Sequence, residues 1–173
     1  MGYIRECDRL LILGAQALPP KLRPVMVAAS FIGLPMMLGA VQLLAIAGTY
    51  ASHATRLFTI EIIVTGFMPL STIIKLLTKR IRPDSIYVRN MRFKTYSFPS
   101  GHAYMSLLVF GSLAYLASLS FMPMWSAVII CLLGFLAILI GISRVYLGAH
   151  FPTDVLAGWI LSTIILATVI TII

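Results

Sequence analysis

Charged side chains are scarce in this sequence, and acidic ones are the scarcest. Only 10% of the 173 residues are charged, with 5 Asp and Glu against 13 Lys and Arg. A soluble domain carries about a quarter charged residues, because its surface must face water. With 60% hydrophobic residues and a mean hydropathy of +1.02, the composition excludes a water-soluble globule, a disordered tail and a fibrous repeat. It predicts an integral membrane protein with a single domain over residues 1–173.

Cysteine is also sparse, which excludes a disulfide framework. The two cysteines, Cys7 and Cys131, do not have the spacing of metal ligands either. The few acidic residues form no cluster suited to magnesium, so no metal and no cofactor are predicted. The net charge of +8 predicts an anionic partner. Because most of the chain is apolar, we expect anionic lipid or phosphate rather than nucleic acid, and no feature indicates an obligate protein partner.

Long uncharged runs predict an all-α, polytopic membrane helix bundle with about five transmembrane helices after an N-terminal interfacial segment. Residues 1–24 mix charges with a short apolar stretch and form that segment, and residues 25–173 form the transmembrane core. The first span falls within 25–55, which contains no charged residue and is expected to kink at Pro35. The later spans are predicted at 57–78, at two positions within 95–143 separated by a turn at Pro123, and at 152–173, with a polar loop at 79–98.

Three polar stretches are predicted to meet at one face of the membrane, because spans two and four end there and spans three and five begin there. In the first stretch, Lys75 and Arg82 are seven positions apart. A continuous helix would place both on one face, with Lys79 between them. Such a stripe is either a positive collar at the interface or one side of an anion site. Together with Lys79, the other cations here are predicted to attract anionic headgroups: Arg80, Arg89, Arg92 and Lys94.

The second stretch is Pro99-Ser100-Gly101-His102, directly before a long apolar run. Ser100 is a suitable N-cap, and the free N–H groups beside Gly101 would form a seat for an anion. His102 would then lie in the first turn, next to whatever anion is bound. The structural alternative is an ordinary helix cap with a solvated interfacial histidine.

The third stretch contains His150 and Asp154, which are four positions apart and share a helix face at the start of the last span. A carboxylate that accepts from one imidazole nitrogen fixes the tautomer and leaves the other nitrogen as a nucleophile. Arg144, across a turn that contains Gly148, supplies a planar fork suited to phosphate oxygens. A self-satisfied His–Asp pair is an alternative for these two residues, but it does not explain the whole set.

Together the three stretches resemble the signature of the type 2 phosphatidic acid phosphatase superfamily, which also includes vanadium haloperoxidases. The pattern K-x6-R-P, P-S-G-H, S-R-x5-H-x3-D is met at every position between Lys75 and Asp154. The resemblance implies that His150 attacks phosphorus, that Asp154 orients it, and that His102 protonates the leaving oxygen and later activates water. The residues that it implies hold the phosphoryl oxygens are Lys75, Arg82, Ser100, Gly101 and Arg144.

The resemblance also implies a metal-independent membrane lipid phosphatase that acts through a phosphohistidine. Candidate substrates are phosphatidylglycerophosphate or phosphatidate, a polyprenyl diphosphate and the 1-phosphate of lipid A. One alternative is a haloperoxidase, which the membrane-embedded form disfavours. The other is a non-catalytic lipid-binding or transport protein with a vestigial site, which the complete motifs disfavour. Many members of this superfamily have six spans, whereas five are predicted here.

Two indications about orientation disagree. Basic residues gather at the predicted site face and only Arg56 lies opposite, so the positive-inside rule predicts a site facing the cytoplasm. Most characterised relatives in the resembled family face the periplasm, the cell exterior or a lumen instead. The expected location is a cell membrane, specifically a bacterial inner membrane, with the side left open.

Glu61 is an acidic residue predicted to lie inside the second span. An acid within a membrane is a candidate for function by default. Glu61 lies fourteen positions before Lys75, however, which is roughly 21 Å along a helix. We therefore expect a structural or interfacial role for it.

Overall fold

The computed structural model describes residues 2–91 and 95–173, and within that part of the chain it contains helices and no strand. The predicted all-α class is therefore confirmed. Arg92 and Lys94, predicted to attract headgroups, lie outside the described residues. A short 3-10 turn covers Pro20–Leu22. The α-helices are α1 Gly2–Gln16, α2 Arg23–Ile32, α3 Pro35–Ala51, α4 Thr55–Phe67, α5 Leu70–Thr78, α6 Ile86–Arg89, α7 Gly101–Ser120, α8 Pro123–Tyr146 and α9 Pro152–Ile172.

The helices long enough to cross a membrane agree with the predicted bundle. Within the described residues there are four such segments: Thr55–Thr78 (α4 with α5), α7, α8 and α9. A fifth results when Pro20–Ile32 and Pro35–Ala51 are counted as one span, bent by 51°. The expected kink at Pro35 is in fact a break, because proline lacks an N–H and instead begins the new helix α3.

Helix α7 lies at the centre of the bundle and packs against α3, α4, α8 and α9. Its buried side chains join a core that includes Leu108 of α7, Ile60 of α4 and Ile140 of α8. Large apolar side chains such as Leu44 and Leu77 are exposed at the periphery. A bundle that is apolar both inside and outside matches a protein that has lipid as its solvent.

One prediction about the first polar stretch is wrong. Helix α5 ends at Thr78, and Lys79 adopts the left-handed conformation with φ 49°. Residues 79–85 are not helical, and Pro83 contributes to this because proline disfavours a helical conformation in the preceding residue. Lys75 and Arg82 therefore do not share a helix face, and Lys79 is exposed.

The segment after α5 folds back over the turn between α8 and α9. Gly148 in that turn has φ +68°, and a Cβ atom there would lie 2.8 Å from the Cβ of Ser85. The Ser85 hydroxyl donates a 2.9 Å hydrogen bond to the Gly148 carbonyl. A glycine is required at this position because both the φ angle and the close approach exclude a side chain. The contact brings the first and third polar stretches together.

Helix α1 packs against α8 and α9 at the same end of the bundle. Asp8 of this helix is almost fully buried and accepts a 3.0 Å hydrogen bond from the Thr153 N–H in the first turn of α9. The N-terminal helix is thus fastened to the end of the bundle where the three polar stretches meet. Whether residues 1–24 lie in a membrane interface stays a prediction.

Candidate active site

A cavity of about 1090 Å³ opens at this end of the bundle. It is lined by six of the eight residues singled out from the sequence, namely Lys75, Arg82, Gly101, His102, Arg144 and His150. Ser100 and Asp154 are fully buried behind that lining. The fold therefore assembles all three polar stretches into one site, although they are widely separated along the chain.

The His150 ring is held between a cation and a carboxylate. Its Nε2 lies 3.1 Å from Nη1 of Arg82, and its Nδ1 lies 3.5 Å from Oδ2 of Asp154. A guanidinium can only donate, so Nε2 must be the acceptor and the ring proton must be on Nδ1. This arrangement leaves an unprotonated Nε2 at the cavity side of the ring.

Burial keeps the His150 ring neutral. Removal from water lowers the pKa of its imidazole from 6.5 to about 3, even though the hydrogen bond with Asp154 acts in the opposite direction. The nearby charges of Arg82 and Arg144 lower the pKa further. At neutral pH Nε2 is therefore unprotonated, and its lone pair can attack an electrophile once the hydrogen bond from Arg82 is released.

The Asp154 carboxylate is held from several sides at the start of α9. Its Oδ2 accepts hydrogen bonds from the Ser97 hydroxyl and, at 2.9 Å, from the Phe151 N–H. Ser97 is fully buried and its Oγ also lies 3.5 Å from Nδ1 of His150. The sequence analysis did not identify Ser97, which lies just outside the Pro-Ser-Gly-His stretch. The carboxylate therefore has little freedom to rotate beneath the imidazole.

Arg82 is positioned by backbone and side-chain oxygens at the cavity wall. It donates to the Thr95 carbonyl at 2.7 Å, to the Thr95 hydroxyl at 2.9 Å and to the Ala149 carbonyl at 2.8 Å. Burial, and next the charge of Arg144, lower its pKa to about 10, so it stays cationic at neutral pH. These contacts fix its charge next to Nε2 of His150.

Arg144 is almost completely buried and is held by residues that lie outside all three stretches. Its Nη1 donates to the Ser30 hydroxyl of α2 and lies 3.3 Å from the Tyr87 hydroxyl of α6. Its guanidinium also lies 5.3 Å from the centre of the Tyr87 ring. The sequence offered no signal for either partner, because Ser30 and Tyr87 are separated from Arg144 by 114 and 57 positions.

Lys75 and the cap of α7 form the remaining side of the site. The Lys75 ammonium donates to the Pro99 carbonyl, and a Cβ atom at Gly101 would lie 3.3 Å from it. Ser100 is the N-cap of α7, as predicted, and its hydroxyl accepts from the Ala103 N–H at 3.5 Å. The glycine thus leaves room for the ammonium beside the N-terminus of α7, where negative charge is favoured.

Several polar atoms around the cavity lack partners within the protein. Among the described residues, Nε2 of His102 and Nε of Arg144 are buried without a hydrogen-bond partner. Neither Lys75, Arg82 nor Arg144 forms an ion pair with a carboxylate in the described part of the chain. Buried donors and cations left in this state are costly unless an anion binds them. The donor set fits a tetrahedral oxyanion such as phosphate.

Two cations predicted to attract headgroups are already paired with carboxylates. Arg80 forms ion pairs with Asp8 at 2.8 Å and with Asp154 at 2.7 Å, so its predicted role is wrong. Arg89 pairs with Asp84 at 2.7 Å on the exposed surface. The Arg89 side chain holds the pKa of the Asp84 carboxyl below its usual range. No pattern in the sequence indicated the contact between Asp8 and Arg80, because the two residues are 72 positions apart.

The fold and the site define a multi-pass helical membrane protein with a cavity lined by cations at one end of its bundle. Comparison with known families identifies its superfamily. Residues 53–173 match the PAP2 superfamily, and the chain therefore belongs to that superfamily. The resemblance inferred from the three stretches is confirmed.

The chain is similar to two curated proteins over part of their length. It is 37% identical over 98 residues to "Phosphatidylglycerophosphatase B" of Bacillus subtilis (strain 168), covering 56% of this chain and 47% of that protein. It is 35% identical over 99 residues to "Undecaprenyl-diphosphatase" of Sulfolobus acidocaldarius, covering 54% of this chain and 44% of that protein. The matched part thus spans about half the length of these curated relatives.

Two solved structures share the fold. The crystal structure of the first transmembrane PAP2 type phosphatidylglycerolphosphate phosphatase from Bacillus subtilis matches with a TM-score of 0.87 and 28% identity, covering 99% of this chain and 87% of that one. Aquifex aeolicus LpxE matches with a TM-score of 0.66 and 21% identity, covering 96% of this chain and 93% of that one. The second likeness concerns the fold alone.

Proposed function

We propose that this protein is a metal-independent membrane phosphatase that removes a phosphoryl group from an amphiphilic lipid, with His150 as the nucleophile. The observation that carries the proposal is the His150 ring itself. Its unprotonated Nε2 lies on the cavity side, 3.1 Å from Arg82. Around it, a buried His102 nitrogen and a buried Arg144 nitrogen have no partner among the described residues. A phosphoryl group would satisfy all of them at once.

In the first step, Nε2 of His150 attacks phosphorus and the bond between phosphorus and the lipid oxygen breaks. The electron pair of that bond leaves with the oxygen, which takes a proton from His102. The anionic substrate stabilises the protonated form of His102, so the proton and the phosphoryl group are bound together. Arg82, Arg144 and Lys75 stabilise the charge that builds on the phosphoryl oxygens in the transition state.

In the second step, water hydrolyses the phosphohistidine. Neutral His102 takes a proton from the water as its oxygen attacks phosphorus, and the bond between phosphorus and Nε2 breaks. Free phosphate leaves and His150 returns to its starting state. Asp154 supports both steps, because it holds the Nδ1 proton and offsets the positive charge of the phosphorylated ring.

The shape of the cavity supports a lipid as the substrate. Its wall carries the apolar side chains of Leu76, Ile81 and Met105 next to the cations. Leu76 and Ile81 are at the same time 60% and 83% exposed on the outer surface of the protein. A phosphate could therefore reach the cations while its hydrocarbon chain stays in the bilayer. The names of the two curated relatives, which refer to phosphatidylglycerophosphate and undecaprenyl diphosphate, agree with such a substrate.

The test is phosphate release from a panel of lipids in mixed micelles, with purified protein. The panel contains phosphatidylglycerophosphate, phosphatidate and undecaprenyl diphosphate, each with and without excess EDTA and with vanadate. We expect release from at least one lipid, retained in EDTA and inhibited by vanadate, which mimics pentacoordinate phosphorus. His150→Ala is the inactive control.

Each outcome of this panel decides one part of the proposal. An absolute requirement for magnesium would refute the metal-independent chemistry. No release from any lipid would favour the alternative of a non-catalytic lipid-binding protein. The preference between phosphatidylglycerophosphate and undecaprenyl diphosphate would distinguish a monoesterase from a diphosphatase.

We also propose that the site faces the cytoplasm. Helix α1 packs at the site end of the bundle, and the Tyr146 hydroxyl at that end contacts the Pro19 carbonyl at 3.4 Å. Basic residues therefore gather on this side, and by the positive-inside rule it faces inward. The test is labelling of Asn90→Cys by an impermeant reagent on intact cells, with Cys7 and Cys131 replaced by serine. Labelling only after permeabilisation supports the proposal, and ready labelling of intact cells refutes it.

A further inference from the structure

The Asp154 carboxylate is held by two separate groups of donors. Its Oδ2 faces Ser97, the Phe151 N–H and His150, all close to it in the site. Its Oδ1 accepts from Nη1 of Arg80 at 2.7 Å. Arg80 therefore determines which way the second oxygen points, and with it the plane of the carboxylate under the imidazole.

Arg80 is in turn held by α1. Its Nη2 donates to Oδ2 of Asp8 at 2.8 Å, and its Nη1 donates to the Thr153 hydroxyl at 2.8 Å. Asp8 accepts from the same Thr153, through the N–H at 3.0 Å and the hydroxyl at 2.7 Å. The guanidinium also lies 4.4 Å from the centre of the Phe151 ring. These contacts form a closed network that joins α1, the segment after α5 and the first turn of α9.

The charges in this network explain how Asp8 would stabilise the positive ring of a phosphorylated His150. Asp8 and Asp154 are 1% and 0% exposed, so their charges interact with little screening by water. If Arg80 paired with Asp154 alone, the pair would be neutral. With Asp8 included, two carboxylates share one guanidinium and the network keeps a net negative charge. That charge favours the positive ring that forms when His150 takes up a phosphoryl group.

We infer that Asp8 and Arg80 are positioning residues for the reaction: Arg80 fixes the Asp154 carboxylate, and Asp8 holds Arg80 and balances its charge. This inference rests on the proposed phosphatase function. It assigns a part in the chemistry to the N-terminal helix, which lies outside the family match at residues 53–173. The inference also gives Arg80 a different role from Arg82, Arg144 and Lys75, which would bind the substrate in the cavity.

The experiment compares Asp8→Asn, Arg80→Gln and the double variant that combines these two substitutions. Arg80→Gln alone would leave the buried Asp8 carboxylate unpaired, whereas the double variant has no carboxylate at position 8 and keeps the test available if that single variant does not fold. Glu6→Gln is the matched control, because Glu6 lies on the same helix but is exposed. Activity is measured as kcat and KM on the best lipid of the panel, and folding as Tm in detergent.

We expect kcat to fall about 10- to 100-fold in all three variants, with KM within about twofold of the native value. The double variant should be little worse than Asp8→Asn alone, because both changes break the same network. Glu6→Gln should match the native protein. An unchanged kcat in Asp8→Asn, or losses that simply add in the double variant, would overturn the inference.

A second readout does not depend on turnover. The protein contains three histidines, so nitrogen NMR on histidine-labelled protein can follow the His150 tautomer directly. We expect a proton on Nδ1 in the native protein and a mixed population in Asp8→Asn, with His53 unchanged. A tautomer that does not respond would contradict the positioning role. If the native protein released no phosphate from any lipid, the proposed function would fail, while the tautomer would still test the network.

Discussion

Two buried polar clusters in this membrane protein have opposite characters. In the middle of the bundle, Glu61 of α4 accepts hydrogen bonds from Gln42 of α3 at 2.7 Å and from Ser112 of α7 at 3.0 Å. At the end of the bundle, His150 and Arg144 line a cavity. The first cluster joins three helices to one another, whereas the residues of the second line a cavity.

The two clusters differ in which buried polar atoms have no hydrogen-bond partner. In the Glu61 cluster the atom without a partner among the described residues is a neutral amide oxygen, Oε1 of Gln42. In the cavity such atoms are a guanidinium nitrogen of Arg144 and an imidazole nitrogen of His102, and the cations next to them form no ion pairs with carboxylates within the described chain. A closed polar cluster specifies helix packing, while an open cationic one is suited to an anion. The sequence analysis expected a structural or interfacial role for Glu61. Its burial and its hydrogen bonds to α3 and α7 support the structural role.

The largest effect expected in the cavity is that of His150→Ala. Removing the imidazole removes the atom that would form the covalent bond to phosphorus, so turnover should fall by several orders of magnitude on every substrate. The measurement is kcat on both a lipid and an aryl phosphate, with Tm as the control for folding. Substantial activity in a folded variant would show that another group performs the attack.

The next effect depends on the substrate. His102→Ala removes the proton donor, so kcat on a lipid with a poor alkoxide leaving group should fall about 10²- to 10⁴-fold. An activated aryl phosphate leaves without much protonation, and its kcat should fall much less. The ratio of the two losses is the test. Equal losses on both substrates would mean that His102 acts in some way other than as an acid.

A smaller effect, on stability rather than activity, is expected in the middle of the bundle. Glu61→Ala leaves Gln42 and Ser112 without their shared acceptor, which should cost about 1–3 kcal/mol. Glu61→Gln keeps an acceptor and is the matched control. Tm in detergent should drop for the alanine variant only, with kcat of the folded protein within about twofold of the native value. A selective loss of kcat in Glu61→Gln would mean that this cluster also takes part in function.

The smallest effect sharpens the same comparison through pH. The pKa of His150 is about 3 in the folded protein and 6.5 when unfolded. Between these values the unfolded chain binds a proton that the folded chain does not, so stability is lost as pH falls, by up to about 1.4 kcal/mol per unit. Tm should therefore decrease from pH 6.5 to pH 4.5, and less steeply in His150→Gln. An identical slope in His150→Gln would contradict a buried neutral ring.

The two clusters also differ in how far the sequence predicts them. The cavity residues fall in short stretches whose internal spacing and order are visible in the chain, so Lys75, Arg82, His102, Arg144 and His150 were all identified. The prediction that Lys75 and Arg82 share a helix failed, because the left-handed Lys79 ends α5. Both residues nevertheless line the cavity, Lys75 from helix α5 and Arg82 from the segment after it.

The supporting contacts were not predictable, because they join positions far apart in the sequence. Ser30 reaches Arg144 across 114 positions and Asp8 reaches Thr153 across 145. A single serine or aspartate in a sequence does not indicate which distant residue it will contact. Only the packing of α1 and α2 against α8 and α9 brings these residues to the site.

The central claim is that His150 forms a covalent bond to phosphorus, and trapping that intermediate tests it most directly. The native protein and His102→Ala are mixed rapidly with radiolabelled substrate, quenched without acid because phosphohistidine is acid-labile, and mapped by peptide. Acid-labile label on His150, accumulating further in His102→Ala with an activated aryl phosphate, is the expected result. Label on His102 instead, or no label under burst conditions, would contradict the account.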